Sequence, residues 1–205
     1  MSRYRLQKTL MKKLLFIFSL PLLLTACGIG KYNVAYSEPK DGDRARIRVI
    51  VPTVFNAYRG VTAFPNMQCL TKRPVGSGHV VGSYAIGFEN NLNGQKIGIP
   101  ASTFSEKKGY VKAETYLSAN QPVMFTFSKP NSTSESPAVS GTTRMITIYQ
   151  DSCFARVVFV PQTNADYELV FTSETSCQFE LNRLTVDQGA VSAAPVIQRN
   201  IEICH

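Results

Sequence analysis

The sequence predicts an all-β domain built as a sandwich or a barrel. Short runs rich in Val, Ile, Phe, Tyr and Thr recur along residues 44–205, separated by clusters of Gly, Pro, Asn, Asp and Ser. Several runs alternate apolar and polar residues, which is the period of a strand with one buried face. No convincing amphipathic helix interrupts them, and strands at short, fairly even spacing are typical of sandwiches and barrels.

The first predicted strand is the sequence RARIRVIV at residues 44–51. Its alternation places Ala45, Ile47, Val49 and Val51 on one face and Arg44, Arg46 and Arg48 on the other. Further strands are predicted at 79–86, 110–117, 122–127, 144–150, 153–160, 167–172 and 177–184, with one more within 194–204. The expected fold class is therefore an antiparallel β-sandwich of the immunoglobulin/transthyretin-like class, or a barrel, with an adequate core in one domain.

Two long connections separate the predicted strands. Residues 52–78 are irregular and contain several Pro and Gly residues, and residues 129–143 read KPNSTSESPAVSGTT. Long loops on a rigid β scaffold often carry binding sites, but they are as often tolerated insertions. Both interpretations of these loops stay open.

The N-terminal residues predict an export signal. Lys12 and Lys13 precede an apolar run that ends at residue 24, and the whole of residues 1–26 contains no acidic residue. A positive segment followed by an apolar segment is typical of a secretory signal, and the run is too short for the ~20 apolar residues of a membrane span. Residues 27–43 are interpreted as a tether and residues 44–205 as the folded domain.

The sequence Leu24-Thr25-Ala26-Cys27 resembles the lipobox of bacterial prolipoproteins. The resemblance covers only the first 27 residues. It implies cleavage before Cys27, lipid on its thiol and acylation of its new amino group, so that several acyl chains anchor the protein to a membrane. Gly28 stands where an Asp would imply retention at the inner membrane, which favours the outer membrane. The expected location is its periplasmic face, with the inner membrane and the cell surface as alternatives.

Five cysteines are present, and lipid on Cys27 leaves four. Disulfides persist in exported proteins, and four cysteines allow three pairings. Cys153 and Cys177 flank a predicted hairpin, so Cys153–Cys177 with Cys69–Cys204 is the preferred set. A metal site is the competing interpretation, but no C-x-x-C motif is present and the histidines are His79 and His205.

The net charge of +8 belongs largely to the leader. Five of the 22 basic residues lie in 1–26, so 17 basic residues face 14 acidic ones after its removal, and a nucleic-acid partner loses its main support. Arg44, Arg46 and Arg48 are candidates for contacts with an anionic partner, because guanidinium groups match carboxylate and phosphate. The alternative is a solvated sheet face with cross-strand ion pairs.

No enzyme signature is found. Ser105-Glu106-Lys107-Lys108 fits S-x-x-K and Ser118-Ala119-Asn120 fits S-x-N, but the third element of serine enzymes that act on penicillin, K-T-G, is missing. Neither His79 nor His205 has the context of a catalytic base. No pair of carboxylates is singled out for glycosidase chemistry, and no phosphate-binding Gly loop, metal or cofactor is predicted.

These observations predict a lipid-anchored envelope protein that acts as a non-enzymatic accessory or assembly subunit through protein–protein contacts. An exposed strand edge would favour this function. The alternative is a ligand-binding or inhibitor lipoprotein that recognises a cell-wall fragment, a glycan or a lytic enzyme through loops 52–78 and 129–143. A concave site lined by aromatic residues such as Tyr58, Phe64 and Tyr84 would favour this alternative.

Overall fold

The computed structural model describes residues 34–52, 60–67, 73–82, 90–129, 153–172 and 178–199, and within them the chain forms nine β-strands and no helix. The strands are β1 (Arg44–Pro52), β2 (Val61–Phe64), β3 (Gly78–Val81), β4 (Tyr110–Ser118), β5 (Val123–Lys129), β6 (Cys153–Phe159), β7 (Asp166–Phe171), β8 (Phe179–Asp187) and β9 (Ala190–Pro195). The all-β class predicted from the sequence is confirmed.

The described strands form two open sheets. One has the order β4-β1-β7-β8-β9 and the other the order β3-β2-β5-β6. Neighbouring strands are antiparallel except β1 and β7, which run parallel. Since both sheets contribute to one apolar core, the sandwich is the observed one of the two predicted architectures.

The core lies between the two sheets, and on most strands its residues follow the period of two. Ile47 and Val49 of β1 are fully buried on the face that the alternation predicts. Aromatic rings connect the layers: the centroids of Phe127 on β5 and Phe171 on β7 are 4.7 Å apart, and those of Phe159 and Tyr167 are 5.0 Å apart. Such tilted pairs add to the area that large rings bury, so they hold the two sheets together.

Most predicted strands within the described residues are present with small shifts of their ends. A strand that the pattern missed is β2, at Val61–Phe64, inside the connection predicted as irregular at residues 52–78. Only four residues long, it has two buried positions, Val61 and Ala63, too short a run for the period to stand out. The strand predicted at 79–86 is observed as β3, which ends at Val81. Residues 83–86 and the predicted strand at 144–150 lie outside the described residues.

The last strand is earlier than predicted. The sequence placed it within 194–204, whereas β9 spans Ala190–Pro195 and is followed by residues outside any strand at 196–199. The reason is a two-residue turn at Gln188 and Gly189, which both have positive φ, at 48° and 84°. Such a turn matches the twist of a tight hairpin, so β8 and β9 form one continuous β8–β9 hairpin.

The tether predicted at residues 27–43 packs onto the domain from residue 34 onward. Tyr36 is buried in the core, its N–H donates to the carbonyl of His79 at 3.0 Å, and Ala35 forms a parallel bridge with His79. The carboxylate of Glu38 accepts a hydrogen bond from the side-chain amide of Gln95 at 2.6 Å. The compact unit therefore begins at Val34 and not at residue 44, because an aromatic ring two residues further on is part of the core.

Replacement of Gly78 by Ala tests this packing. A Cβ at Gly78 would overlap the backbone of Ala35, so we expect the 34–37 segment to be displaced and the free energy of unfolding to fall by about 1–3 kcal/mol. Urea-induced unfolding measures the loss, and hydrogen exchange at the amide of Tyr36 reports the displacement. Gly82→Ala is the matched control, because its Cβ would meet the side chain of Asn91 instead of backbone. Equal losses in the two variants would contradict the packing.

Candidate functional site

The outer face of the five-stranded sheet carries the three arginines singled out in the sequence, and each has a different environment. Arg44 is exposed and lies over the ring of Tyr116, with its Cζ 4.7 Å from the ring centroid. Arg46 donates through Nε and Nη2 to the two carboxylate oxygens of Asp166, at 2.6 and 2.7 Å. That bidentate bond raises the pKa of Arg46, against the opposing effect of its partial burial.

Arg48 is buried, with 4% of its surface exposed. It lies between two carboxylates because Glu114 on β4 and Glu168 on β7 are its direct neighbours in the sheet register. Its Nε and Nη2 donate to Oε1 of Glu114 at 2.9 and 2.7 Å, and its Nη1 donates to Oε2 of Glu168 at 3.1 Å. We refer to Arg48, Glu114 and Glu168 as the Arg48 cluster.

The remaining donors of Arg48 hold the segment that covers the sheet. Nη2 donates to the carbonyl of Ile99 at 2.6 Å and Nη1 to the carbonyl of Pro100 at 2.9 Å. All five N–H groups of the guanidinium are thereby used inside the protein. The proposed contact between Arg48 and an anionic partner is therefore wrong, since reaching a partner would break bonds to two buried carboxylates.

Glu114 binds the same segment through its second oxygen. Its Oε2 accepts the backbone N–H groups of Ile97, Gly98 and Ile99, at 2.7, 3.0 and 3.2 Å. Positive φ at Gly98, 87°, is part of the turn that aims three successive N–H groups at one anion. Burial raises the pKa of the Glu114 carboxyl. This effect is outweighed by hydrogen bonds from the N–H of Ile97, the guanidinium of Arg48 and the N–H of Ile99, so the pKa of Glu114 is lowered.

Glu168 completes the attachment. Ser102 donates its hydroxyl to Oε2 of Glu168 at 2.5 Å, and this carboxylate is 1% exposed. Ser102 and Ser105 also bond to each other's backbone N–H groups, at 2.7 and 3.0 Å, which closes a local turn. We refer to residues 97–105 as the covering segment. Because the guanidinium of Arg48 is fully bonded and Glu114 accepts from Arg48 and from three backbone N–H groups, the geometry is that of a structural attachment.

A cleft of about 530 Å³ lies beside the cluster, between β4 and the residues that lead into the covering segment. Its lining includes Lys96, Glu106, Tyr110 and Lys112. The ammonium of Lys112 donates to the carbonyls of Ser105 and Lys107. Tyr110 is the one aromatic residue among the described residues of the lining, so this cleft is not the aromatic cavity expected for a ligand-binding lipoprotein. Phe64 packs instead with a small apolar cluster on the other sheet, and Tyr58 and Tyr84 lie outside the described residues.

His79 forms a hydrogen bond with a hydroxyl. Its Nδ1 lies 3.0 Å from Oγ1 of Thr62, on the neighbouring strand. Burial lowers the pKa of His79, and the positive charge of Arg73 lowers it further, so the imidazole is neutral near pH 7. Within the described part of the chain no carboxylate bonds to this ring, and His205 lies outside it.

The β8–β9 hairpin is the most exposed apolar part of the five-stranded sheet. All six residues of β9 are exposed. Val186 is 55% exposed, and Val191, its direct neighbour across the hairpin, is 36% exposed. These two side chains and Ala193 lie on the outer face of the sheet, next to the buried Leu184. No charged residue occurs between Ala190 and Pro195.

Backbone from outside the sheets bonds to the other three outermost strands. The edge of β3 bonds to residues 34–36 through the N–H of His79 and the carbonyl of Val34, at 2.8 Å. Along β4, Gly94 donates to Lys112 at 2.8 Å and Glu114 donates to Gln95 at 2.9 Å, and on β6 the carbonyl of Val158 accepts from Arg199 at 2.8 Å. Among the described residues, β9 is the outermost strand to which no such backbone bonds.

Several predicted site residues fall outside what the structure describes. They are Cys27, Cys69, Cys177 and Cys204; Cys153 begins β6, but its pairing is not described either. Both disulfides and the lipidation therefore stay predictions. The described ranges contain no group of three or more His, Cys, Asp or Glu that could hold a metal ion, and they contain no apolar helix of the length that crossing a membrane requires.

Sequence reasoning identified Arg48 but missed its two partners. Glu114 and Glu168 look like ordinary outward positions of two separate strands, and only the register of β4, β1 and β7 makes them neighbours. Comparison with family models, with characterised proteins and with solved structures finds no match to this chain.

Removal of the buried cation tests the cluster. We expect Arg48→Leu to lower the free energy of unfolding by about 3–5 kcal/mol, because it leaves Glu114 and Glu168 buried without their counter-charge. Urea-induced unfolding at neutral pH measures the loss. Arg44→Leu, on the same face of the same strand but exposed, is the matched control and should lose less than about 1 kcal/mol. Equal effects of the two substitutions would contradict the cluster.

Acid should weaken the fold in part through Glu114. Its pKa is lower in the folded protein than the ordinary value of 4.5, so its contribution to stability is complete above that value and is lost as the pH falls through the folded pKa. The measurement is the free energy of unfolding at a series of pH values below neutrality. Glu114→Gln should flatten the acid part of this profile, whereas Glu180→Gln, at an exposed position of β8, should not. An unchanged acid profile in Glu114→Gln would refute the assignment.

Proposed function

We propose that this chain is a lipid-anchored protein of the bacterial cell envelope that acts as a non-enzymatic accessory subunit through protein–protein contacts. The observation that carries the proposal is the open edge of β9 beside the exposed apolar residues Val186 and Val191. Exposed strand edges of this kind are templates for pairing with another chain, and proteins that do not use them protect them with charges, bulges or covering segments.

The contrast between the strand edges supports this function. Three of the outermost strands bond to other backbone: β3 to residues 34–36, β4 to residues 94–95 and β6 to residue 199. The edge of β9 has neither a covering segment among the described residues nor a charged side chain of its own. A partner that binds the hairpin would cover apolar surface that this chain leaves in water.

The proposed anchor rests on the lipobox-like residues Leu24-Thr25-Ala26-Cys27. Lipid on Cys27 would hold the domain at the outer membrane, on its periplasmic face, where a partner of the envelope is within reach. The four other cysteines would form the disulfides Cys153–Cys177 and Cys69–Cys204 in that oxidising compartment.

A ligand-binding function is the second candidate, and the cleft of about 530 Å³ beside β4 favours it because its volume is typical of small-molecule sites. Two of its charged lining residues, Arg48 and Glu114, already bond to each other and to the covering segment. Among the described residues of its lining, Tyr110 is the one aromatic residue. The hairpin edge therefore supports the accessory function better than the cleft supports ligand binding.

Crosslinking in cells, followed by affinity purification from solubilised envelopes, tests the proposed function. The wild type should recover a defined set of envelope proteins in stoichiometric amounts. Val191→Lys should lose them, because a charge would have to be buried at the contact. Phe154→Lys is the matched control: Phe154 is also an exposed apolar residue, 58% exposed, but it lies on β6 of the other sheet.

Cys27→Ala is the control for the anchor and should leave the protein in the soluble fraction without the recovered set. Recovery that is equal in the wild type and in Val191→Lys would contradict a contact through the hairpin. The absence of any stoichiometric partner from the wild type would overturn the accessory function, and glycans, wall fragments and lytic enzymes would then be screened as ligands.

A further inference from the structure

We propose that the partner adds one of its own extended strands to the open edge of β9, which extends the five-stranded sheet by β-augmentation. This inference rests on the proposed function and specifies how the contact is made. It follows from three features of the hairpin: the direction of its backbone groups, the pattern of its side chains and the small number of residues it offers.

The hairpin register determines which backbone groups face outward. In a two-residue hairpin the pair that flanks the turn is hydrogen-bonded, and bonded and non-bonded pairs then alternate. Asp187 and Ala190 flank the turn and are therefore a hydrogen-bonded pair. Further along, the N–H of Val196 donates to the carbonyl of Leu181 at 3.0 Å, which fits the same alternation of bonded and non-bonded pairs. The N–H and C=O groups of Val191 and Ala193 therefore point away from β8.

Pro195 sets the end of this edge. By the same alternation it offers an outward carbonyl but no N–H, so a ladder along β9 cannot continue with full bonding beyond Ala193. The edge thus presents two complete donor–acceptor residues and one further acceptor. An incoming strand must match this short pattern with alternate residues of its own.

The side chains of the hairpin define what the incoming strand carries. On the outer face, Val191 and Ala193 adjoin Val186 and Leu184 of β8, which makes a continuous apolar surface. On the other face, Ser192 shares a hydrogen bond of 2.7 Å with Thr185. The complementary strand therefore alternates, with small or β-branched apolar residues toward the first surface and small or hydroxyl residues toward the second.

The size of the edge favours a different protein over a second copy of this chain. Pairing of β9 with itself would use the six exposed residues of each strand, whereas a standard stable interface has about 20–30 residues on each side. A symmetric pair of edges thus lacks the contact area of a stable dimer. The envelope protein of the proposed function therefore supplies the strand for β9 together with further contacts outside that strand.

A capped synthetic peptide of alternating Thr and Val is the probe, titrated into the full-length ¹⁵N-labelled chain. We expect the amide shifts to concentrate at Val191 and Ala193, and we expect hydrogen exchange at these two amides to slow. The same peptide with alternate amides N-methylated should not bind, because it cannot form the ladder. Ala193→Pro should weaken binding at least about tenfold, and since its N–H faces away from β8, the hairpin itself should remain folded.

Val191→Lys is the second disrupting variant, and Phe154→Lys should bind as the wild type does. Shifts centred elsewhere, or equal binding of the N-methylated peptide, would overturn strand addition. Sedimentation that shows a dimer in the wild type and a monomer in Ala193→Pro would assign the edge to a second copy and would also overturn the proposal.

The two proposals fail in different ways. An envelope protein lost from Val191→Lys but retained by Ala193→Pro would leave the accessory function standing and remove strand addition. Peptide binding at β9 without any recovered envelope protein would remove the accessory function and leave strand addition at this edge standing.

Discussion

The guanidinium of Arg48 is shared between two buried carboxylates and two backbone carbonyls, and the outer face of the five-stranded sheet depends on this arrangement. A buried ion pair contributes little net stability compared with apolar residues of the same volume, because desolvation offsets the attraction. We infer that the cluster matters chiefly for where it places the covering segment. Glu114 and Glu168 accept from Ile97 and Ser102, so one cation and two anions hold both ends of residues 97–102.

This placement limits where the domain can make contacts. The covering segment lies over β1 and β7, the second and third strands of the sheet, and residues 94–95 bond along β4. The N-terminal residues 34–36 bond along β3 in the same way. These parts of the sheet face and of the strand edges are thus occupied by the chain itself. The β8–β9 hairpin is the described part of the five-stranded sheet where backbone groups and apolar side chains both face water, and for this reason the proposed contact is placed there.

The fold was largely predictable because it depends on a local signal, whereas the site depends on register. Alternation in RARIRVIV was sufficient to separate Ile47 and Val49 from the arginines, and the aromatic and β-branched runs located most other strands. The pairing of Arg48 with Glu114 and Glu168 joins residues that are 66 and 120 positions away, and no local pattern encodes it. The burial of Tyr36, inside the segment predicted as a tether, was not predicted for a similar reason, since a single aromatic residue forms no periodic pattern. The position of β9 was set by the turn at Gln188 and Gly189, which the strand pattern alone did not reveal.

Hydrogen exchange of individual backbone amides in the full-length chain tests the account most directly. The amides of Ile97, Gly98 and Ile99 bond to the carboxylate of Glu114, and those of Val191 and Ala193 point outward from β9. We expect the first three to exchange slowly, because exchange requires the Arg48 cluster to open, and the last two to exchange almost as fast as in an unfolded chain. Fast exchange at residues 97–99, or strong protection of Val191 and Ala193 in the isolated protein, would contradict a closed outer face beside an open edge.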